Sequence, residues 1–501
     1  MQLVSTILIR HLLVCLCYSS VWLLACSCFA DIRLASVFAD HMVLQRDQAV
    51  PVWGKAEPGE KITVEFAGQK RTAKAGPDGR WQVKLGKLKT SFEPGTLTVR
   101  GTDSSLTFTN ILVGEVWLCS GQSNMDKPIG QQPGQKPVPN WEQELASGDQ
   151  HPAIRLFKVK RVLANQPQSD VEGAWAVCSS NSLETMKFSA AAYFFAREVQ
   201  SRVKVPIGLL HVAWGGTRIE PWTPPVGFAQ VRSLSALAKP LSADAKVTNT
   251  TPTAIYNGMV APLQPFAIRG ALWYQGESNC MDVNDGATYA DKMEALIRGW
   301  RKVWGQGDFA FYYVQLAPYN YFSNRPKPRV ASPEALPAIW ESQSRALRIP
   351  NTGMAVITDT VDDPKDIHPV NKQDVGRRLA ALALNRTYGL KDVVASGPMF
   401  KSMRVKGNEA ILSFTGVDGG LHCKDSQELN HFTVAGADGK FVPAQARIEG
   451  ETVVVSSPEV TVPVAVRFGW HELAQPNFFN EAGLPASPFR TDHPWGKAGK
   501  R

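Results

Sequence analysis

Short apolar runs follow one another over residues 31 to about 109: MVLQ, AVPVWG, KITVEFAG, WQVKLG and TLTVRG. The turns EPGE, GPDG and EPG separate them. Alternation with period two buries one face of a strand, and many short strands between Gly/Pro turns predict a small β-sandwich over 31–109. From 110 the grammar changes to strand, then helix, then strand. Strands are predicted at 111–118, 154–158, 206–213, 269–274, 309–316 and 353–358. Between them, Met293, Leu296, Ile297, Trp300, Val303 and Trp304 recur at helical spacing across 289–305. FSAAAYFFAREVQSRV and NKQDVGRRLAALALNRTYG predict two more helices, the second ending at Gly389 as a C-cap. Such alternation predicts a mostly parallel sheet with helices on both faces, residues 110–390. Strand-like runs (EAILSF, FTVAG, TVVVSS, VAVRFGW) return over 391–501 as a C-terminal β-rich segment.

The first thirty residues break this pattern. They carry one charge, Arg10, and an apolar stretch ending in small residues, which predicts a signal peptide over 1–30 and export to the periplasm or beyond. The run LLAC also permits a lipid anchor at Cys26, and a retained membrane anchor is a further alternative. No later run reaches the roughly eighteen apolar residues of a membrane span, so no integral span is expected in the mature chain. Four of the eight cysteines lie in the leader; Cys119, Cys178, Cys280 and Cys423 are scattered without a CxxC pair, against structural zinc. A bridge between Cys119 and Cys280 is one pairing that export would permit. The net charge of +9 comes from dispersed basic residues, not from an aromatic and basic platform, so no nucleic acid partner is expected. It fits an acidic substrate only weakly.

In open α/β sheets, ligands sit beyond the carboxyl ends of the strands. Four of the predicted strands run into SGQSN, WGGTRIEPW, QGESN and DTVDDPKDIHPVNK. These turns hold the parts of an acyl-transfer site. A serine hydroxyl needs a base with a pKa near ambient pH, so Ser123 is the candidate nucleophile and His368 the candidate base. Asp366 would hold the imidazole tautomer. Oxyanion donors would be the Ser123 N–H, a Gly215 or Gly216 N–H, and the side-chain amide of Gln275 or Asn279. Glu277 reads equally as a solvated carboxylate or as an orienting one; Trp214 and Trp222 read as core or as sugar-stacking rings. His211, inside a strand, reads as core. GxSxG, HExxH and P-loop motifs are lacking, and neither a metal nor a cofactor is expected.

With these residues, the segments GQSNM, GLLHVAWGGTRIEPW, YNGMVAPLQPFAIRGALWYQGESN, FYYVQLAPY and DIHPVNKQDVGRRLA resemble the sialate O-acetylesterase family, a branch of the SGNH-type hydrolases. The resemblance covers most of 31–492. It implies a flavodoxin-like three-layer α/β/α catalytic domain with flanking β-sandwich segments, and metal-free removal of acetyl groups from sugars. It maps the nucleophile onto Ser123, the base onto His368, the glycine donor onto Gly216 and the third block onto QGESN, where Gly276-Glu277-Ser278-Asn279 replaces the usual Gly-x-Asn-Asp and leaves the amide to Gln275 ahead of Asn279. The carboxylate stands two residues before the histidine instead of three, where Lys365 stands; Asp359, Asp363 and Glu277 are the substitutes for Asp366. Arg218 would pair with a sugar carboxylate or with Glu220. The expected partner is therefore an acetylated sugar, sialic acid first. An acetylxylan or pectin acetylesterase and a non-catalytic carbohydrate-binding protein are the alternatives.

Overall fold

The computed structural model describes residues 32–282, 285–322, 330, 332–425 and 427–492. The expected signal segment and Cys26 lie outside them.

Strands β1 (Arg33–Leu34), β2 (Val43–Gln45), β3 (Val50–Lys55), β4 (Lys61–Phe66), β5 (Gln69–Lys74), β6 (Arg80–Leu85), β7 (Ser91–Arg100) and β8 (Ser105–Gly121) come first. In β4 and β6 the odd and even positions separate cleanly: Ile62, Val64, Phe66, Trp81, Val83 and Leu85 are buried while their neighbours face outward. Strands β1, β3 and β6 form one antiparallel sheet, and β5, β4 and β7 lead into β8.

β8 explains how the two grammars join. Its first six residues alternate in exposure and pair with β7, whereas its last eleven, ILVGEVWLCSG, are all buried. A strand flanked on both edges and covered on both faces has no solvent side to alternate with. This second half is the centre of a parallel sheet with β9 (Ile154–Lys158), β11 (Ile207–Ala213), β12 (Gly270–Tyr274), β13 (Ala310–Val314) and β14 (Thr352–Ala355). The short β10 (Trp175–Val177) adds antiparallel to the β9 edge. The order is β10-β9-β11-β8-β12-β13-β14, so consecutive crossovers turn left and right about β8.

Side chains on β13 show what covers each face. Tyr312 stacks on Trp117, which packs on Phe195 of the helix Ala190–Val203. Its neighbours point the other way: Phe311 meets Trp300 of the helix Asp285–Trp304, and the Tyr313 hydroxyl donates to the Gln343 carbonyl of the helix Ala335–Ala346 (2.7 Å). One helix layer therefore lies on each side, an α/β fold as expected. At the amino end of the sheet, buried Glu115 accepts from Gln45 (3.0 Å), Arg46 (2.5 Å) and Arg269 (2.5 Å), tying β2 and the approach to β12 onto β8. Such a carboxylate is tolerable in the core only because cations and hydrogen bonds satisfy it.

The C-terminal strands form two four-stranded antiparallel sheets and a two-stranded one around a separate core that includes Phe432, Val434, Phe468 and Phe478. They dock beside β13: Gln315 donates to Ser487 (3.0 Å), and Glu472 accepts the N–H groups of Tyr321 and Phe322.

Candidate active site

The order about β8 creates a crevice at its carboxyl end, where β11 and β12 diverge. β8 ends at Gly121, whose φ of 142° only glycine adopts easily and where a Cβ would meet the Tyr274 carbonyl oxygen at 2.1 Å. The chain then turns into the short helix Ser123–Asp126. Into the same crevice comes the loop after β14. Its His368 Nε2 stands 2.9 Å from the Ser123 Oγ, across 245 residues of sequence. Burial depresses the His368 pKa first, the nearby Lys372 and Lys127 ammonium groups add to it, and Asp366 opposes them; the result is about 4. At neutral pH the ring is uncharged and can accept the serine proton.

Asp366 is the one carboxylate among the described residues within 4 Å of that ring, but its Oδ1 is 3.6 Å from Nδ1, too long for a hydrogen bond. It instead accepts the backbone N–H of His368 at 2.9 Å. Its contribution here is to shape the loop and to set a negative charge beside the imidazole. The substitutes are committed elsewhere: Asp359 is gripped by both Nη atoms of Arg378 (2.6 and 2.7 Å), Asp363 accepts the Lys365 N–H, and Glu277 faces Asn124.

Asn124, which sequence reasoning passed over, is the hub. Its buried amide donates to Glu277 Oε1 (2.5 Å) and to the Ile367 carbonyl (2.9 Å), and its Oδ1 accepts from Lys372 Nζ (2.7 Å). The nucleophile turn, the QGESN turn and the histidine loop thus meet on one side chain. Lys372 is fully buried, with its ammonium 5.1 Å from the centre of the Tyr274 ring. Burial and the charge of Lys127 bring its pKa down to about 7, while burial pushes that of Glu277 up. The one sequence signal for Lys372 was its place four residues after His368.

The glycine turn after β11 packs against the serine. A Cβ at Gly215 would lie 3.2 Å from the Ser123 Cβ, while one at Gly216 (φ 74°) would meet nothing within 4 Å. The backbone N–H groups of Ser123 and Gly216 donate to no described protein acceptor. The two amides expected beside them are placed differently. Gln275 Nε2 donates within a buried network to Gln122 (3.1 Å), the Thr217 carbonyl (3.1 Å) and Asn279 Oδ1 (2.8 Å). Asn279 Nδ2 donates to Glu220 (3.2 Å) and Asp285 (2.7 Å). Neither has an N–H left for a ligand; both form the floor that holds the turns together.

Arg218 is likewise occupied, reaching Asp285 (2.6 Å), Asp282 (3.2 Å) and Glu220 (3.5 Å). Trp214 is half-buried beside the glycines, under the guanidinium of Arg161 at 5.8 Å, whereas Trp222 is core and donates to Thr217 Oγ1. His211 is buried within 3.2 Å of Asp126, as a structural residue should be. All four described cysteines are free, so no bridge joins Cys119 to Cys280. Among the described residues no three His, Cys, Asp or Glu side chains gather as metal ligands.

A neutral histidine on a serine, with free N–H groups alongside, is the equipment of acyl transfer. The family described as carbohydrate esterase, sialic acid-specific acetylesterase, matches residues 113–385. The chain belongs to this family. It is a carboxylic ester hydrolase. It is similar to a carbohydrate acetylesterase of Xanthomonas citri, with 38% identity, a TM-score of 0.82, and 92% of this chain and 99% of that one covered. It is also similar to the sialate O-acetylesterases of Rattus norvegicus (28% identity, 91% of this chain and 94% of that protein) and Homo sapiens (29%, 91% and 92%).

Proposed function

We propose that this enzyme removes O-acetyl groups from sialic acids, such as the 9-O-acetyl group, through an acetyl-enzyme on Ser123. The contact that carries the reading is the 2.9 Å approach of His368 Nε2 to Ser123 Oγ. The serine attacks the acetyl carbonyl as His368 takes its proton. The tetrahedral oxyanion rests on the N–H groups of Ser123 and Gly216, each such donor contributing a factor of about 10²–10³. His368 then protonates the departing sugar alcohol, and water, activated by the same imidazole, releases acetate. Asp366 and Asn124 position the histidine loop.

The order β11-β8-β12-β13-β14 supports a flavodoxin-like, SGNH-type catalytic domain with the first strands as a flanking β-sandwich. The leader sequence supports export, with Cys26 lipidation the alternative. Among the described residues no helix is long and apolar enough to cross a membrane.

Arg218, already neutralised by carboxylates, leaves the sugar carboxylate without its expected cation, which favours acetylated polysaccharide, neutral xylan ahead of acidic pectin, as the second reading. Acetate release from 9-O-acetyl sialic acid, acetylated xylan and acetylated pectin, with Ser123→Ala as control, decides between them. Turnover of xylan or pectin alone would overturn the sialate assignment.

A further inference from the structure

A cleft of about 550 Å³ opens between the sheet β1–β3–β6 and the segments 167–170 and 261–265. It shares no residue with the site around Ser123. Its size falls within the roughly 300–1,000 Å³ typical of small-ligand sites. The half-buried indole of Trp53 lines it, on the same face of the sheet as Lys55 and Arg80, whereas the Trp81 side chain turns to the buried face. A half-buried indole facing a cleft offers a flat apolar surface on which a sugar ring can lie.

The charges on its rim give the same direction. Register places Arg33 opposite Lys55, and Lys55 opposite Arg80, so three cations stand side by side across three strands. Like charges directly opposed destabilise a sheet. The protein relieves them little: the side chains of Arg33 and Lys55 have no described partner, and Arg80 reaches only exposed Asp78 at 3.6 Å. The carboxylate in the wall, Asp170, is already taken by the N–H and hydroxyl of Ser36 (2.8 and 2.7 Å).

We propose that this cleft is a second binding site, for an acidic saccharide. Carboxylates would meet the cation ladder, and a sugar ring face would lie on the Trp53 indole. A bare polyanion has no use for the indole, and a neutral sugar none for the cations. The assignment stands independently of which ester Ser123 hydrolyses.

The test uses the full chain carrying Ser123→Ala, titrated calorimetrically with oligosialic acid, oligogalacturonic acid, xylo-oligosaccharide and polyglutamate. Arg33→Gln with Lys55→Gln, and separately Trp53→Leu, should each raise the Kd for an acidic saccharide about tenfold, the scale of losing a charge-assisted hydrogen bond or an aromatic contact. In the background with Ser123 intact, the same substitutions should leave p-nitrophenyl acetate hydrolysis unchanged, which also shows that the variants fold. Unchanged affinity for both acidic saccharides overturns the proposal. So does polyglutamate bound as tightly with the same sensitivity, or xylo-oligosaccharide bound as tightly as the acids. Dependence on the cleft for oligogalacturonate but not oligosialate upholds the site and names a uronate as its ligand.

Discussion

Lowering the pH probes the buried imidazole directly. An ordinary histidine at 6.5 would be about 3% neutral at pH 5, whereas one at about 4 is about 90% neutral there, a contrast of roughly 30-fold in active enzyme. Lys372 takes up its proton near pH 7, so its charge opposes protonation of His368 throughout this range. The acid limb of kcat/KM on p-nitrophenyl acetate should therefore have its midpoint near pH 4. Stability follows the same displacement. Between 6.5 and 4 the unfolded chain binds a proton that the folded chain refuses, so stability falls as pH falls through that window. At about 1.4 kcal/mol per unit, the His368 contribution lost is about 3 kcal/mol, complete at its folded value. Urea denaturation of wild type and His368→Gln at several pH values isolates it, because the variant lacks this slope. An acid limb near 6.5, or equal pH dependence in the two proteins, would refute the reasoning.

Asn124→Ala should reduce kcat about 10²-fold, because the histidine loop loses its tether to the nucleophile turn. It should also cost about 2–3 kcal/mol in urea denaturation, since Lys372 and Glu277 stay buried without their amide. Gly215→Ala places a methyl 3.2 Å from the Ser123 Cβ and should lower kcat about tenfold while the melting temperature stays within a few degrees. Arg218→Ala should leave KM for a sialate ester within about twofold and cost about 2 kcal/mol of stability, because its charge serves Asp285 and Glu220. A tenfold rise in KM would restore Arg218 as the reader of the sugar carboxylate.

The central parallel strands were legible because full burial leaves them as uninterrupted apolar runs: the predicted 269–274 contains Gly270–Tyr274, and 309–316 contains Ala310–Val314. The change of grammar at 110 falls inside one continuous strand, Ser105–Gly121. Composition registers there a change of environment, from one exposed face to none, and not a break in the backbone. The helix Ala335–Ala346 escaped notice because Pro337 reads as a breaker, although the first turn tolerates it. At the site, Ser123 and His368 stood out because each follows a strand in a turn of polar residues. Residue type and a place just after a strand make Gln275 and Asn279 candidate donors. Whether an amide N–H is free depends on which partners surround it, and here Gln122, the Thr217 carbonyl, Glu220 and Asp285 consume them. Asn124 and Lys372 were missed for the converse reason, since a hub is defined by contacts from three separate segments that no local pattern records.

Rapid acid quenching of enzyme mixed with 9-O-acetyl sialic acid, followed by peptide mass spectrometry, reads the chemistry at its decisive atom. One acetyl group on the peptide spanning 117–128, located at Ser123 and lost in Ser123→Ala, is the predicted result. Acetate release at an undiminished rate from Ser123→Ala, or an acetyl group trapped on another side chain, would contradict it.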